Sequence, residues 1–118
     1  MWAEWAKLNV AIRFTGPVFW RVVRTAPSKR DPEAIASGIA ALTAALKVAE
    51  PRLAKGWLAG EAFTLADILF GHVLYRYFDI DIARQELPGL AVYYRRLRQR
   101  PAFRDHVMVS YDELRVVD

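Results

Sequence analysis

The sequence lacks cysteine altogether and contains no long stretch without charge. The absence of cysteine excludes a disulfide scaffold, thiolate-bound zinc, iron–sulfur clusters and a thiol nucleophile from this chain. The longest uncharged stretch covers residues 34–46, which is 13 residues, whereas a membrane-spanning helix needs roughly 20. Residues 1–7 include an acid and a base where a secretion signal requires an apolar run. We therefore expect a cytoplasmic protein with no membrane partner.

The excess of positive charge is small. Lysine and arginine number 17 and aspartate and glutamate 13, so the net charge is +4. A basic domain can bind nucleic acid, but a charge of this size is also ordinary for a small soluble domain. The arginines at 95, 96, 98, 100 and 104 lack stacking aromatics that point the same way, so we interpret them as a solvated face and expect no nucleic-acid partner. The length predicts one domain over residues 1–118.

Apolar residues recur at helical spacing along the chain, and no segment alternates like a strand. The sequence therefore predicts an all-α fold, a bundle of about five to six helices. In the first helix, over residues 2–24, Trp2, Trp5 and Ile12 are predicted to share a face. Gly16-Pro17 predicts a kink or a short break in this helix, because proline lacks an amide donor and clashes one turn back.

The second helix has a clear start. Asp31 can cap the free amides of the first turn, and Pro32 suits the first helical position. The apolar residues that follow step by three or four positions and predict a helix packed in a bundle: Ile35, Ile39, Leu42, Leu46, Ala49 and Leu53. Several alanines leave room for close approach of another helix, and Lys55-Gly56 is predicted to end this one.

A capping box is predicted at the start of the third helix. The Thr64 hydroxyl can bond the amide of Asp67, and the Asp67 carboxylate can reach back to the amide of Thr64. Phe63 and Ile68 stand where a hydrophobic staple would pack. Asp67 could instead be a general base, but the complete box favours a structural role worth about 1 kcal/mol or more.

The third helix, to about residue 78, is apolar nearly all round, which predicts a central position. Pro88 and Pro101 are predicted to start two further helices, and the tail over 107–118 remains unassigned. Neither His72 nor His106 has a second ligand at i+4, so we expect no metal site.

The most specific motif is the sequence WLAGEAFTLADI at residues 57–68. It closely resembles the loop and capped helix in the C-terminal helical domain of cytosolic, bacterial-type glutathione transferases. The sequences LPGL at 87–90, YYRRL at 93–97 and RPAF at 100–103 follow at the distances that this domain shows. The opening WAEWAKLN at 2–9 resembles its first helix. The resemblance covers nearly the whole chain apart from the last dozen residues.

The resemblance implies a division of labour between two domains. In the family an N-terminal thioredoxin-like domain holds glutathione and activates its thiol, so this chain is expected to hold no catalytic residue, to need no cofactor and to be inactive alone. Its first helix would line the cleft for a hydrophobic electrophile. The residues that the resemblance places on this substrate-binding wall are Trp2, Trp5, Asn9, Ile12 and Arg13. A homodimer is expected as well.

Alternatives stay open at this point. The chain is either the C-terminal half of such an enzyme or a free-standing helical relative, and a non-catalytic interaction module of the same fold is the rival function. The substrate-wall residues could equally serve core and dimer packing. If the first reading holds, apolar surface meant for another domain should be exposed. We expect it to form a cleft near Trp2, Trp5 and Tyr77.

Overall fold

The computed structural model describes residues 2–54 and 56–117, in which the chain forms five helical segments and no β-sheet. This confirms the predicted all-α architecture. In chain order the segments are α1 (residues 2–23), α2 (Pro32–Leu53), α3 (Leu65–Asp79), α4 (Pro88–Arg98) and α5 (Pro101–His106). Two 3₁₀ turns, Pro27–Lys29 and Asp112–Leu114, lie in the connections.

Helix α1 is built of alternating α and π segments. The π segments cover Ala6–Ala11 and Thr15–Trp20, and α-helical backbone precedes, joins and follows them. Gly16 and Pro17 lie inside the second π segment. A π turn bonds to the fifth residue instead of the fourth, and such turns arise where the regular ladder is interrupted. The helix therefore continues through Gly16 and Pro17 by means of a π turn, and the short break does not occur.

The π segments also change which face of α1 is buried. Five of the buried residues recur every four positions, at Ala6, Val10, Phe14, Val18 and Val22, and Phe19 and Val23 are buried next to the last two. In a regular α-helix a four-residue step overshoots one turn by about 40°. The wider π turns offset this rotation and hold the repeat on one side. Ile12, which the sequence places on a face with Trp2 and Trp5, lies off this buried side and is 60% exposed.

Helix α2 begins and packs as the sequence predicts. Asp31 Oδ1 accepts a hydrogen bond from the amide of Ala34 at 3.2 Å. The predicted inner stripe is fully buried from Leu42 to Leu53, whereas Ile35 and Ile39 are only half-buried. By length and composition α2 could cross a membrane. In this fold its inner face packs in the bundle core.

Aromatic rings fill the centre of the bundle. Phe14, Phe70, Tyr77 and Tyr93 are fully buried, from α1, α3 and α4. The tail after α5 closes the far end of this core. Tyr111 in the tail is buried, and the amide of Val116 donates to the carbonyl of Val23 at 2.7 Å. The residues left unassigned by the sequence therefore fasten the end of α1 to the rest of the bundle.

Candidate functional site

The two tryptophans of the predicted substrate-binding wall lie between helices. The Trp2 and Trp5 rings meet edge to face with centroids 5.1 Å apart, and Trp5 lies 5.4 Å from Phe70 of α3. The Arg52 guanidinium of α2 lies over the Trp2 ring, 4.4 Å from its centroid. Both indoles are half-buried. They anchor the start of α1 and leave part of each ring at the surface.

The other three predicted residues lie together on the outer side of α1. Arg13 Nη1 donates to the backbone oxygen of Asn9 at 2.9 Å and to its Oδ1 at 3.4 Å. These bonds hold the guanidinium along the helix surface, beside the exposed Ile12. The structure thus brings Asn9, Ile12 and Arg13 together, whereas Trp2 and Trp5 contact the neighbouring helices.

Exposed apolar side chains continue from α1 onto the first turns of α3. We call this surface the outer apolar face; its large side chains are Leu8, Ile12, Leu65 and Leu69. Ile68 is exposed as well, but it lines a separate pocket with Phe63, Phe103 and Val107. A crevice lined by Ala11, Thr15 and Leu69 joins the two helices. Leu65 is 61% exposed. Helix α3, which the sequence predicts to be central, is therefore buried along most of its length, but its first turns expose apolar side chains to solvent.

The apolar surface is not the predicted cleft. Tyr77, expected at its edge, is only 1% exposed and belongs to the core. Its ring lies beside that of Phe14 from α1, with the centroids 6.4 Å apart.

The polar chemistry of the face is limited. His72 lies in the crevice, and desolvation, followed by the charge of Arg76, lowers the pKa of its imidazole. Among the described residues, no three histidine, aspartate or glutamate side chains are grouped to hold a metal ion. The crevice offers hydrocarbon, the His72 imidazole and the Lys7 ammonium, and Asn9 and Arg13 on α1 add an amide and a guanidinium, a set that suits binding and orientation.

The capping box of α3 is present with both of its hydrogen bonds. Asp67 is completely buried, and its Oδ2 accepts from the amide of Thr64 at 3.0 Å. Its Oδ1 accepts two further bonds, from the amide of Leu58 at 2.8 Å and from the hydroxyl of Tyr93 at 2.5 Å. All the described partners of this carboxylate are structural, which matches the interpretation of Asp67 as a folding element.

Two charged residues that tie helices together were missed by the sequence reasoning. Glu50 of α2 accepts hydrogen bonds from the first amides of α4. Arg96 of α4 donates to the carbonyls of Leu53 and Gly56 at the end of α2. Helix α4 has no side-chain cap of its own at Leu87. An uncapped helix start is the one sequence signal that could have prompted a search for such a partner.

Comparison with known proteins gives a consistent result. The family model for the glutathione S-transferase C-terminal domain matches residues 13–101. The glutathione S-transferase GstB of Escherichia coli K12 is 30% identical over 109 residues, which are 92% of this chain and 52% of that protein. The chain therefore spans about half the length of the curated relative that it matches.

Solved structures agree with the sequence matches. The apo crystal structure of the theta class glutathione S-transferase from Xanthomonas axonopodis pv. citri superimposes with a TM-score of 0.84 at 37% identity, covering 92% of this chain and 57% of that one. The structure of the same enzyme with glutathione bound gives the same score and identity and is covered over 58% of its length.

Proposed function

Because the chain belongs to the glutathione S-transferase family and forms its C-terminal helical domain, we propose that it supplies the substrate-binding wall of a glutathione-conjugating enzyme. In that reaction the glutathione thiolate attacks an electrophilic carbon. The thiol would be activated by a thioredoxin-like domain, the partner that the family resemblance implies. This chain contributes binding and orientation of the hydrophobic electrophile.

The outer apolar face is the observation that supports this proposal most directly. Four large apolar side chains on two adjacent helices are exposed, and such a surface usually marks a contact with another domain or a ligand. Asn9 and Arg13 lie beside it and add one amide and one positive charge. A flat apolar electrophile packs on the hydrocarbon and the edge of the indoles, while the polar pair orients its substituents.

We also propose that the protein acts as a cytoplasmic homodimer. The outer side of α2 carries apolar residues in the solvent, namely Ala40, Ala44 and Val48. Their spacing of four positions forms a stripe along the helix that permits close approach of a second helix. A two-fold dimer would pack this stripe against its own copy. Light scattering should give a dimer, and Ala44→Arg should convert it to a monomer, whereas Ala91→Arg on the exposed side of α4 should not.

A domain exchange tests the catalytic part of the proposal. The helical domain of the Xanthomonas theta class enzyme would be replaced by residues 2–117, and conjugation of glutathione to an activated aryl halide would be measured. We expect turnover from the chimera and none from the 118-residue chain alone. Robust turnover by the isolated chain would contradict the division of labour. A folded chimera that binds glutathione but gives no turnover would favour the rival, a non-catalytic interaction module.

Matched variants connect the activity to the face. Ile12→Asp and Leu69→Asp place a charge on the outer apolar face and should lower kcat/KM of the chimera by about tenfold or more. Val109→Asp introduces the same charge at a tail position that is also half exposed, and it should leave the activity unchanged. Equal effects of all three substitutions would show that the face has no special role.

A further inference from the structure

A groove between the end of α3 and the exposed side of α4 has no role in the function proposed above. Its volume is about 350 Å³. The residues that line it are Phe78 of α3 and Ala91, Tyr94, Arg95 and Arg98 of α4. The outer apolar face lies at the start of α3, so most of a 15-residue helix separates that face from the groove. Two of the lining residues are cations and none is an acid, which points to a different kind of partner.

Two aromatic rings form the floor of the groove. Phe78 and Tyr94 stack with their centroids 4.6 Å apart and their planes inclined by 24°. Behind them the ring of Phe103 meets Tyr94 edge to face at 6.4 Å, so the floor is held in place by the core. Tyr94 is nearly buried and Phe78 is half-buried. The open part of the floor is therefore small, and it suits one apolar side chain better than a row of stacked bases.

The charge of the groove comes from a segment rich in arginine. Residues 87–104 contain five arginines and no acid. Two of the five serve the fold, because Arg96 donates to carbonyls at the end of α2 and Arg100 lies over an aromatic ring, 3.7 Å from its centroid. The remaining three are exposed: Arg95, Arg98 and Arg104.

The three exposed arginines lie close together. Arg95 and Arg98 are three positions apart, which makes them neighbours on the surface of α4. The Arg98 guanidinium lies 5.7 Å from the centroid of the Tyr94 ring. Arg104 Nη1 donates to the carbonyl of Arg98 at 2.8 Å, which brings a third guanidinium to the end of α4. Like charges at this spacing repel each other, so an anion that bridges them relieves the repulsion.

Within the described part of the chain, no acidic side chain pairs with these three arginines, since the ion pair found there lies in the tail. Glu50 is engaged at the opposite end of α4, where it binds the first amides. Asp79 follows Phe78, but its carboxylate accepts the hydroxyl of Tyr111. Asp105 of α5 is exposed and forms no ion pair with an arginine. The groove therefore keeps a positive charge that the rest of the fold does not balance.

We propose that this surface, the arginine groove, binds an acidic segment of another protein, with carboxylates on Arg95 and Arg98 and one large apolar side chain on the aromatic floor. The planar guanidinium matches a carboxylate with two parallel hydrogen bonds. Arginine and aromatic residues are also the groups that contribute most to protein interfaces. The cations attract the acidic segment and the floor fixes its register. This interaction depends neither on glutathione nor on the electrophile.

Fluorescence anisotropy with a labelled peptide tests the arginine groove on the full 118-residue chain. The probe has the sequence DEDLFEDE, and the control peptide NQNLFQNQ carries an amide in place of each carboxylate. We expect the acidic peptide to bind about tenfold more tightly or better, and to lose affinity as salt is added. Amide chemical shifts should change at residues 78 and 91–104. Equal affinities, shifts centred elsewhere, or tighter binding of a thymidine oligomer of the same charge would each overturn the proposal.

Matched variants separate the groove from the net charge of the protein. Arg95→Glu should lower the affinity for the acidic peptide by about tenfold or more, because the new carboxylate repels the peptide and pairs with Arg98. Arg98→Gln removes one exposed charge and should lower the affinity by about two- to fivefold. Arg21→Glu makes the same change of charge at an exposed position of α1 and should keep at least about half of the affinity. Equal losses in Arg95→Glu and Arg21→Glu would refute a defined site.

Discussion

The carboxylate of Glu50 caps helix α4 by accepting the amide hydrogen of Gly89, 39 residues later in the chain, at 2.6 Å. Its second oxygen accepts the amide of Leu90 at 2.9 Å. One side chain of α2 thereby satisfies two of the free donors at the start of α4 and places a negative charge at the positive end of that helix. The orientation of α4 against α2 is defined by this contact.

Removing the Glu50 carboxylate should weaken the fold. Glu50→Ala leaves two amides of α4 without acceptors, and we expect the free energy of unfolding to fall by about 1–3 kcal/mol. Urea denaturation followed by circular dichroism measures this change. Glu61→Ala, at an exposed loop position, is the control and should stay within about 0.5 kcal/mol of the parent. A Glu50→Ala protein as stable as this control would show that water replaces the cap at no cost.

Asp67 should be a residue of stability and not of ligand affinity. Asp67→Ala strands three donors, from Leu58, Thr64 and Tyr93, and should cost at least about 3 kcal/mol. Asp67→Asn retains one acceptor oxygen but turns an amide toward a donor, so its cost should be intermediate. Thermal unfolding of the three proteins gives the order. A loss of ligand affinity in Asp67→Asn at an unchanged melting temperature would contradict the structural role.

Local signals in the sequence located the starts of α2 and α3, because the residues that cap these helices lie next to the starts in the sequence. Asp31 caps α2 through an amide three positions ahead, and the box at Thr64 and Asp67 closes within α3. The partners that cross between elements had no such signal. Tyr93 reaches Asp67 across 26 positions, and Glu50 reaches Gly89 across 39. Pairings of this kind depend on how helices pack, which spacing within one helix does not report.

One part of the predicted cleft was wrong, because Tyr77 is buried in the core. A regular helix places Trp2, Trp5 and Ile12 on one face, but the π segments of α1 shift the register between them. Ile12 therefore faces solvent, and Phe14 takes the inward position.

Two glycines in helices should respond to alanine in opposite ways. At Gly71 a Cβ would lie 2.6 Å from Phe103 Cε2 and 3.1 Å from Leu97 Cδ1, so α3 needs a glycine to approach α4 and α5. Gly71→Ala should cost about 1–3 kcal/mol. At Gly16 a Cβ meets nothing within 4 Å, and Gly16→Ala should stabilise by about 0.4–1 kcal/mol through the unfolded state. Denaturation midpoints compare the pair. Equal effects at both sites would refute the close approach at Gly71.

Unfolding at alkaline pH should be coupled to the ionisation of buried tyrosines. Burial raises the pKa of Tyr94 to about 12. Burial, and then the hydrogen bond with an aspartate carboxylate, raises the pKa of Tyr93 and of Tyr111 above the ordinary value of 10.0. A raised folded-state pKa means that this stabilisation is complete below about pH 10 and is lost as the pH rises toward the folded-state value.

The free energy of unfolding should therefore decline above about pH 10, by about 1.4 kcal/mol per pH unit for each such tyrosine. Phenolate absorbance should appear together with the loss of helical circular dichroism rather than before it. Tyr94→Phe keeps the ring that stacks on Phe78 at 4.6 Å and removes one titrating hydroxyl. The free energy of unfolding of this variant should match that of the parent at neutral pH. Between about pH 10 and 12 it should decline less steeply, because one tyrosine fewer ionises on unfolding. Ionisation of every tyrosine near pH 10 with the helices intact would show that these hydroxyls are open to water.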